Sequence, residues 1–481
     1  MALLRVSSRL LAPSLARRFS ALSVVSQLRT SIPASLPAIH RLVESYERDV
    51  QTFNPKTAFR SDVVFANNHL RLSGIDVVGF DYDYTLCHYT EELQHLIYSM
   101  ARDYMVGKLR YPEGVSVLQY DPSFAIRGLT IDKQKGLLCK ISSHQKLSNT
   151  AVFRGRQRLS RDDIIELYGG SRHISVSDRD YNMEPLNDLF SVAHACLFAD
   201  VVQYMMDRDI EYEPVALVED VNQAIANVHL SGDMHKEVAL DLPKYIEPSP
   251  TLRPLLERIR NSGKKTFLCT NSSFTYINAG LKYMLGDDWR ELFDVVIVIR
   301  ALERGDVYTQ GSLYHLSKLT GWVGNRVLYI GDNLFSDLVE PSRANGWRTG
   351  AIIRELEDEM KINKFEELMR NIQNELRSEA VPQNHTFVEQ LVNVHEALQT
   401  EMENLINVNF GSVFRADTYP SQFAFIVQRY VDIYSARLEN LLEYPSNHTF
   451  YPERIAMPHE QPKGPYWFKK DCSKVDITRP L

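Results

Sequence analysis

The stretch Ile75-Asp-Val-Val-Gly-Phe-Asp81-Tyr-Asp83-Tyr-Thr85-Leu-Cys87 constrains this chain more than any other. Its short apolar, β-branched run reads as a buried strand of a parallel sheet. The run stops at two carboxylates spaced i, i+2, followed by a threonine. In an open α/β sheet the carboxyl ends of the central strands are where ligands bind. An acidic pair there can hold Mg²⁺, and one member can attack a phosphorus atom. A plain acidic turn would look the same, so the reading depends on whether the rest of a site exists elsewhere.

The chain around this stretch alternates strands with helices. Residues 40–74 read as a lead-in helix and connector, and 91–109 as an amphipathic helix. Between about 110 and 250 the pattern is mixed. Two β-type runs around a turn at 128–141 predict a hairpin, and helical stretches follow near 161–168, 184–206 and 218–229. This block reads as an inserted cap. The sheet then resumes: a helix at 252–261, Lys265-Thr-Phe-Leu-Cys-Thr270, Val295-Val-Ile-Val-Ile299, a helix from Leu313, Arg326-Val-Leu-Tyr-Ile-Gly331-Asp332, and a last strand at 347–353. Such alternation predicts right-handed crossovers and an α/β, doubly wound parallel-sheet core of Rossmann-like type with an inserted α+β cap.

Beyond 354 the pattern turns to long helices. Ile362, Phe365, Leu368, Ile372 and Leu376 mark one apolar stripe, and Leu391, Val394, Leu398, Met402 and Leu405 another. Val381-Pro382 between them allows an antiparallel hairpin, and a third helix is expected over 421–443. Most simply the stripes pack within the chain; a self-associating coiled coil, hence a homo-oligomer, is the alternative. The domain reading is therefore 1–39 as a targeting segment, 40–109 with 251–355 as the core, 110–250 as the cap, and 356–481 as a C-terminal helical region.

Composition narrows the class. The chain has 481 residues, 44% hydrophobic and 24% charged, enough for two or three domains. Its five cysteines are scattered without metal-ligand spacing, which argues for a reducing compartment and against a disulfide framework or a zinc site. Arg5, Arg9, Arg17, Arg18 and Arg29 lie in an acid-free segment, so the remainder is more acidic than the overall charge of -7. An acidic body is a poor nucleic-acid binder. The basic, Ser-, Leu- and Ala-rich segment 1–39 has the composition of an organellar transit peptide, which predicts the mitochondrial matrix. No run is long and apolar enough to predict a membrane span.

Three predicted strand ends now carry residues suited to phosphate: Asp81, Asp83 and Thr85; Thr270 with Asn271; and Asp332 with Asp337 in Gly331-Asp-Asn-Leu-Phe-Ser-Asp337. Singly, each could be a turn or capping residue. Together, four carboxylates and a threonine at the carboxyl ends of parallel strands point to a Mg²⁺ phosphoryl-transfer site.

These stretches resemble three of the four motifs of the haloacid dehalogenase superfamily. More closely, Gly79-Phe-Asp-Tyr-Asp-Tyr-Thr-Leu, Thr270-Asn-Ser, Leu328-Tyr-Ile-Gly-Asp and Gly346-Trp-Arg-Thr resemble the 5′-nucleotidase domain-containing branch of the cytosolic purine 5′-nucleotidase family. The similarity extends to Arg127-Gly-Leu, Phe410-Gly-Ser-Val-Phe-Arg415 and Met457-Pro-His-Glu460. It implies a Mg²⁺-dependent phosphomonoesterase of 5′-nucleotidase type. Asp81 would be the nucleophile that forms an aspartyl-phosphate, and Asp83 the general acid/base. Thr270 and Asn271 would hold phosphate. Asp81, Asp83 through its backbone carbonyl, and Asp332, with Asp337 in support, would hold Mg²⁺. The substrate would be a small phosphorylated molecule such as a nucleoside 5′-monophosphate.

One departure stands out. The family's third motif supplies a lysine after the third strand, in a Lys-Pro and a longer aromatic and basic segment. Here Val298-Ile-Arg300-Ala-Leu-Glu-Arg304-Gly follows, and no lysine lies between Lys282 and Lys318. An arginine fork does not occupy the space of a point ammonium. The alternative function is therefore a binding or regulatory protein that keeps the fold but turns over slowly or not at all. In the cap, Arg127, Arg154, Arg156 and His229 are candidates to meet a substrate, and Phe153 to stack on a ring.

Overall fold

A central strand with neighbours that arrive from opposite directions along the chain organises the molecule. The computed structural model describes residues 63–298, 307–309, 313–359 and 406–453. Apart from 358, 359 and 406, these belong to one unit formed by Ser61–Glu357 and Asn407–Glu453. The targeting segment, the paired stripes of 362–405, the stretch holding Arg300 and Arg304, and 457–460 lie outside the described residues.

In chain order the strands of the two larger sheets are β1 (Val64–Ala66), β2 (Val77–Phe80), β3 (Leu129–Asp132), β4 (Leu137–Ile141), β5 (Leu147–Arg154), β6 (Gln157–Arg158), β7 (Met183–Leu186), β8 (Lys265–Thr270), β9 (Val295–Val298), β10 (Val307–Thr309), β11 (Val327–Gly331), β12 (Arg348–Ile352) and β13 (Ile433–Ser435). The helices used below are α1 (Glu91–Gly107), α2 (Ser191–Asp207) and α3 (Pro214–Ser231). Eight strands form one sheet in the order β1-β13-β12-β11-β2-β8-β9-β10, with every neighbouring pair parallel except β1 and β13. From β2 the chain moves outward one way through β8, β9 and β10, then returns to the other flank for β11 and β12. That reversal is the topological switch point at which such sheets bind ligands.

All four residues of β2 are buried, as a strand covered on both faces requires. Gly79 is there for close approach: a Cβ on it would lie 2.1 Å from the Phe267 ring. In α1, Leu93, Ile97, Ala101 and Met105 recur every four residues on one buried stripe, and Glu91 and Glu92 sit in the first turn, where the helix dipole favours them.

A second, five-stranded antiparallel sheet, β6-β5-β4-β3-β7, is built wholly from residues between β2 and β8. The expected hairpin is its β3–β4 pair. The helical stretch expected over 184–206 begins at Ser191 instead, because Met183–Leu186 pairs with β3 as an edge strand. Pro185 explains the difference: it disfavours a helix interior and is tolerated at a sheet edge.

Two further expectations differ from the structure. The strand at 347–353 is not the last. The helix expected over 421–443 ends at Tyr430, and Ile433–Ser435 enters the main sheet beside β12. Asp432 fixes this turn of the chain by accepting hydrogen bonds from the Thr349 N–H (2.9 Å) and from Arg348 Nη1 (2.8 Å). Likewise Val64–Ala66 is a strand rather than connector. Among the described residues no helix is long and apolar enough to cross a membrane, and Cys87, Cys139, Cys196 and Cys269 are free thiols.

Candidate functional site

Asp81 is the first residue after β2, and its N–H donates to the Ile330 carbonyl (2.9 Å), which ties it to β11. The chain then turns sharply. Leu86 and Cys87 both donate to the Tyr82 carbonyl, at 3.1 and 2.9 Å. Tyr84 takes φ of 52°, a left-handed conformation uncommon for a bulky residue. The turn leaves Asp83 with both oxygens held: Tyr89 Oη donates to Oδ1 at 2.5 Å and Ser272 Oγ to Oδ2 at 2.7 Å. Tyr276 Oη in turn donates to Tyr89 Oη at 2.9 Å.

The neighbouring strand end supplies the other carboxylates. Asp332 follows β11, and Asn333 caps a turn of π-helix, Leu334–Val339, by accepting from the Phe335 and Ser336 N–H groups. Such turns recur at functional sites. Asp337 lies within it. Its Oδ2 accepts from the Asn333 N–H (3.0 Å) and its Oδ1 from Ser336 Oγ (2.9 Å). Gly331 makes room: a Cβ on it would lie 2.3 Å from Asp337.

Asp81, Asp332 and Asp337 thereby offer carboxylate oxygens that all lie within 4.8 Å of one another. Burial, then the charges of Asp337, Asp83 and Asp332, raises the Asp81 pKa well above the carboxylate range. Burial does the same to Asp332, against the pull of Arg127, and pushes Asp337 up to about 6. Asp332 Oδ2 is buried without a hydrogen-bond partner. Clustered carboxylates with an orphaned oxygen are the donor set a hard divalent cation takes, and its charge would relieve their repulsion.

The four aspartates line a cavity of about 320 Å³ together with Asp188, Phe190, Ser191, His194, Ile225, His229, Asn271, Asn333 and Ser336. Of the residues expected to hold phosphate, Asn271 is therefore in the wall. Thr270, buried at the end of β8, accepts from the Ser272 N–H (3.2 Å) and is not a wall residue. His229 is also in the wall, and burial lowers its pKa.

The other cap candidates lie elsewhere. Arg127 is fully buried; its Nε and Nη2 donate to Glu355 at 3.0 and 2.6 Å, and its Nη1 to the Asp332 carbonyl at 3.3 Å. It braces Asp332, whose Oδ2 also lies 3.6 Å from Nη1, and is not part of the cavity wall. Phe153 packs between the rings of Phe124 (5.7 Å) and Phe410 (4.7 Å), closed to any substrate ring. Arg154 is outside the cavity wall. Arg156 pairs with Asp200 and Asp121 over the Phe124 ring.

Sequence reading missed Tyr89, Ser272, Asp188 and His194. Only Ser272 carried a signal, as the hydroxyl two residues beyond Thr270 at the end of β8.

A profile of the 5′ nucleotidase family matches residues 64–301 and 298–462. A 5′-nucleotidase domain-containing protein of Dictyostelium discoideum is 35% identical over 468 residues, 88% of this chain and 79% of that one. Human 5′-nucleotidase domain-containing protein 2 is 35% identical over 453 residues, 85% and 86% of the two chains. Among solved structures, L-2-haloacid dehalogenase from Xanthobacter autotrophicus aligns with a TM-score of 0.25 and 14% identity, over 77% of this chain and 98% of that one. The magnesium-bound HAD-hydrolase YfnB from Bacillus subtilis aligns with a TM-score of 0.22 and 10% identity, over 58% and 86%. On the profile and the long, 35% identical relatives, the chain belongs to the 5′ nucleotidase family.

Proposed function

We propose that this protein is a Mg²⁺-dependent phosphomonoesterase of 5′-nucleotidase type that works through an aspartyl-phosphate on Asp81. The observation that carries the reading is the convergence of Asp81, Asp332 and Asp337 oxygens within 4.8 Å, in the cavity that Asp83 also lines. Family membership supports a small phosphorylated substrate, a nucleoside 5′-monophosphate among them.

The carboxylates of Asp81, Asp332 and Asp337, with the backbone carbonyl of Asp83, would hold Mg²⁺. When bound, the ion supplies charge that orients the phosphoryl oxygens and offsets their repulsion from the carboxylates. An Asp81 oxygen attacks phosphorus and the ester bond breaks. Asp83, its pKa raised by burial, gives its proton to the leaving oxygen. Asp83 then takes a proton from water, whose oxygen attacks the same phosphorus, and inorganic phosphate leaves with Asp81 restored. Tyr89 and Ser272 hold Asp83 in the orientation this needs. Asn271, in the cavity wall, orients the phosphate, and Thr270 behind it fixes the Ser272 backbone.

The test is phosphate release over a panel of nucleoside monophosphates with Mg²⁺, comparing the native protein with Asp81→Asn. Loss of at least about 10³-fold in the variant, and loss on chelation, is expected. Release that survives either treatment overturns the mechanism.

A specific observation favours a second reading, a fold-retaining binding protein with slow turnover. No lysine lies between Lys282 and Lys318. β9 and β10 are parallel neighbours joined by 299–306 alone, fewer than the dozen or more residues such a connection ordinarily uses. The two segments of the family match also meet at 298–301. Retained Mg²⁺ and phosphate binding without turnover would favour this reading. We also propose that residues 1–39 direct the protein to mitochondria; a fluorescent fusion of those residues that stays cytosolic would refute it.

A further inference from the structure

Two further helices bear on Asp83: α4 (Asp233–Leu240) and α5 (Phe274–Leu285), the latter starting directly after the turn that follows β8. Ser272 and Tyr276 flank the start of α5, and both reach the same carboxyl group. Ser272 Oγ donates to Asp83 Oδ2 at 2.7 Å. Tyr276 Oη donates to Tyr89 Oη at 2.9 Å, and Tyr89 Oη to Asp83 Oδ1 at 2.5 Å. A phenol has a single proton to donate. With that of Tyr89 committed to Asp83, the bond between the tyrosines is donated by Tyr276. Both oxygens of Asp83 are thus held from the start of α5, one directly and one through a single intermediary.

The helix is keyed to the same loop. Tyr82 stands between Asp81 and Asp83, and its ring meets that of Tyr276 edge-on, with centroids 5.9 Å apart and planes at 81°. One turn further along α5, Gly280 leaves the space that the Tyr82 hydroxyl fills: a Cβ there would lie 1.9 Å from it. From the cap, His235 of α4 covers Tyr276, with ring centroids 4.4 Å apart. The backbone of Tyr89 is fixed by its bridge to Ile246 and by the Thr90 N–H, which donates to the Tyr245 carbonyl at 2.8 Å. Tyr89 and Tyr276 are both buried, and neither lines the cavity. What they contribute to the reaction therefore passes through Asp83.

We propose, resting on the phosphomonoesterase reading, that Tyr276 is a positioning residue for Asp83. Tyr89 alone leaves the direction open, because a phenol O–H turns about its C–O bond. The bond accepted from Tyr276 occupies one side of that oxygen and directs its proton to Asp83 Oδ1. Asp83, held at both oxygens, then faces the leaving oxygen in one orientation, which is what a proton transfer needs.

The experiment measures phosphate release by the full-length protein with Mg²⁺, comparing native with Tyr276→Phe, which keeps the ring packing and deletes the hydroxyl. With a nucleoside monophosphate, kcat is expected to fall about fivefold, the scale of one neutral hydrogen bond, with KM within about twofold. With p-nitrophenyl phosphate, whose leaving group needs little protonation, the loss should be less than about twofold. In a Tyr89→Phe background, where the link is already cut, adding Tyr276→Phe should cost nothing more.

An unchanged kcat overturns the inference. So do equal losses on the two substrates, a rise in KM alone, or losses that add in the double variant, since each marks a role outside the orientation of Asp83. If Tyr276→Phe does not fold, Tyr89→Phe carries the same contrast between substrates, and equal losses overturn the inference there too. Absence of release by the native protein would sink the phosphomonoesterase reading alone. Crystal structures of native and Tyr276→Phe then decide the positioning: Asp83 is expected to turn away from Tyr89, and an unmoved carboxyl group overturns it.

Discussion

The two flanks of β2 carry the site to different standards. On one side β11 delivers Asp332, Asn333, Ser336 and Asp337 within six residues, local hydrogen bonds fix Asn333 and both oxygens of Asp337, and Asp332 Oδ2 is left without one, 3.6 Å from Arg127 Nη1. On the other, β8 leads into Asn271 and Ser272, and residues 299–306 beyond β9, outside the described residues, contain no lysine. The acidic half is thus positioned by its own local hydrogen bonds, whereas the proposed neutralising charge would come from beyond β9, outside the described residues. Binding and turnover can separate along this line.

The strongest way to break the comparison is at Asp83, which the β8 flank holds through Ser272 and, by way of Tyr89, Tyr276. Asp83→Asn should slow hydrolysis of nucleoside monophosphates by about 10²–10⁴ while costing far less with p-nitrophenyl phosphate, whose leaving group needs little protonation. Equal losses on both substrates would show that Asp83 is not the acid. On the weak flank, Arg300→Lys should raise kcat by about 10–10², because a point ammonium is what that side lacks. Unchanged kcat with the lysine in place would locate the deficit elsewhere.

Gly331→Ala tests the strong flank. Its Cβ would fall 2.3 Å from Asp337, so the carboxylate must move. The expected cost is about 1–3 kcal/mol of stability, together with loss of the Tm increase that Mg²⁺ is expected to give the native protein. A variant that keeps that increase would show that Asp337 is dispensable for the ion.

The smallest effect is electrostatic. Asp337 is pushed up to about 6, above its value in an unfolded chain, so the metal-free folded state binds the extra proton. Its contribution therefore weakens as pH rises between roughly 4 and 6 and is least favourable above that window. Without metal, the native protein should gain about 1 kcal/mol relative to Asp337→Asn on going from pH 7 to 5. A flat difference would show that burial is not what holds this proton.

What could be read from the sequence follows the same division. The gathering of these aspartates was legible because Asp81 and Asp332 directly follow apolar strands, with Asp83 and Asp337 two and five residues further on, and strand ends are local events. Tyr89 and Ser272 were not, since Ser272 meets Asp83 only across 189 residues of chain. Phe153 was misread because an aromatic on a strand has the same pattern whether it faces a ligand or, as here, Phe124 and Phe410. Arg127 was misread because its partner Glu355 is 228 residues away. β13 escaped because a three-residue strand leaves no period to detect.

The π-helical turn at Leu334–Val339 has a consequence for how this site tolerates insertion and deletion. An α-helix advances about 100° per residue, and the wider turn absorbs one residue more than an α-turn would. Deleting a single residue between Asn333 and Asp337 would let an ordinary α-turn form with little loss of helical hydrogen bonding. It would also swing the Asp337 position by roughly a quarter of a turn, away from Asp81. The four-residue interval between the two aspartates is therefore a length standard. Mutational scanning by single-residue deletion should find this interval intolerant.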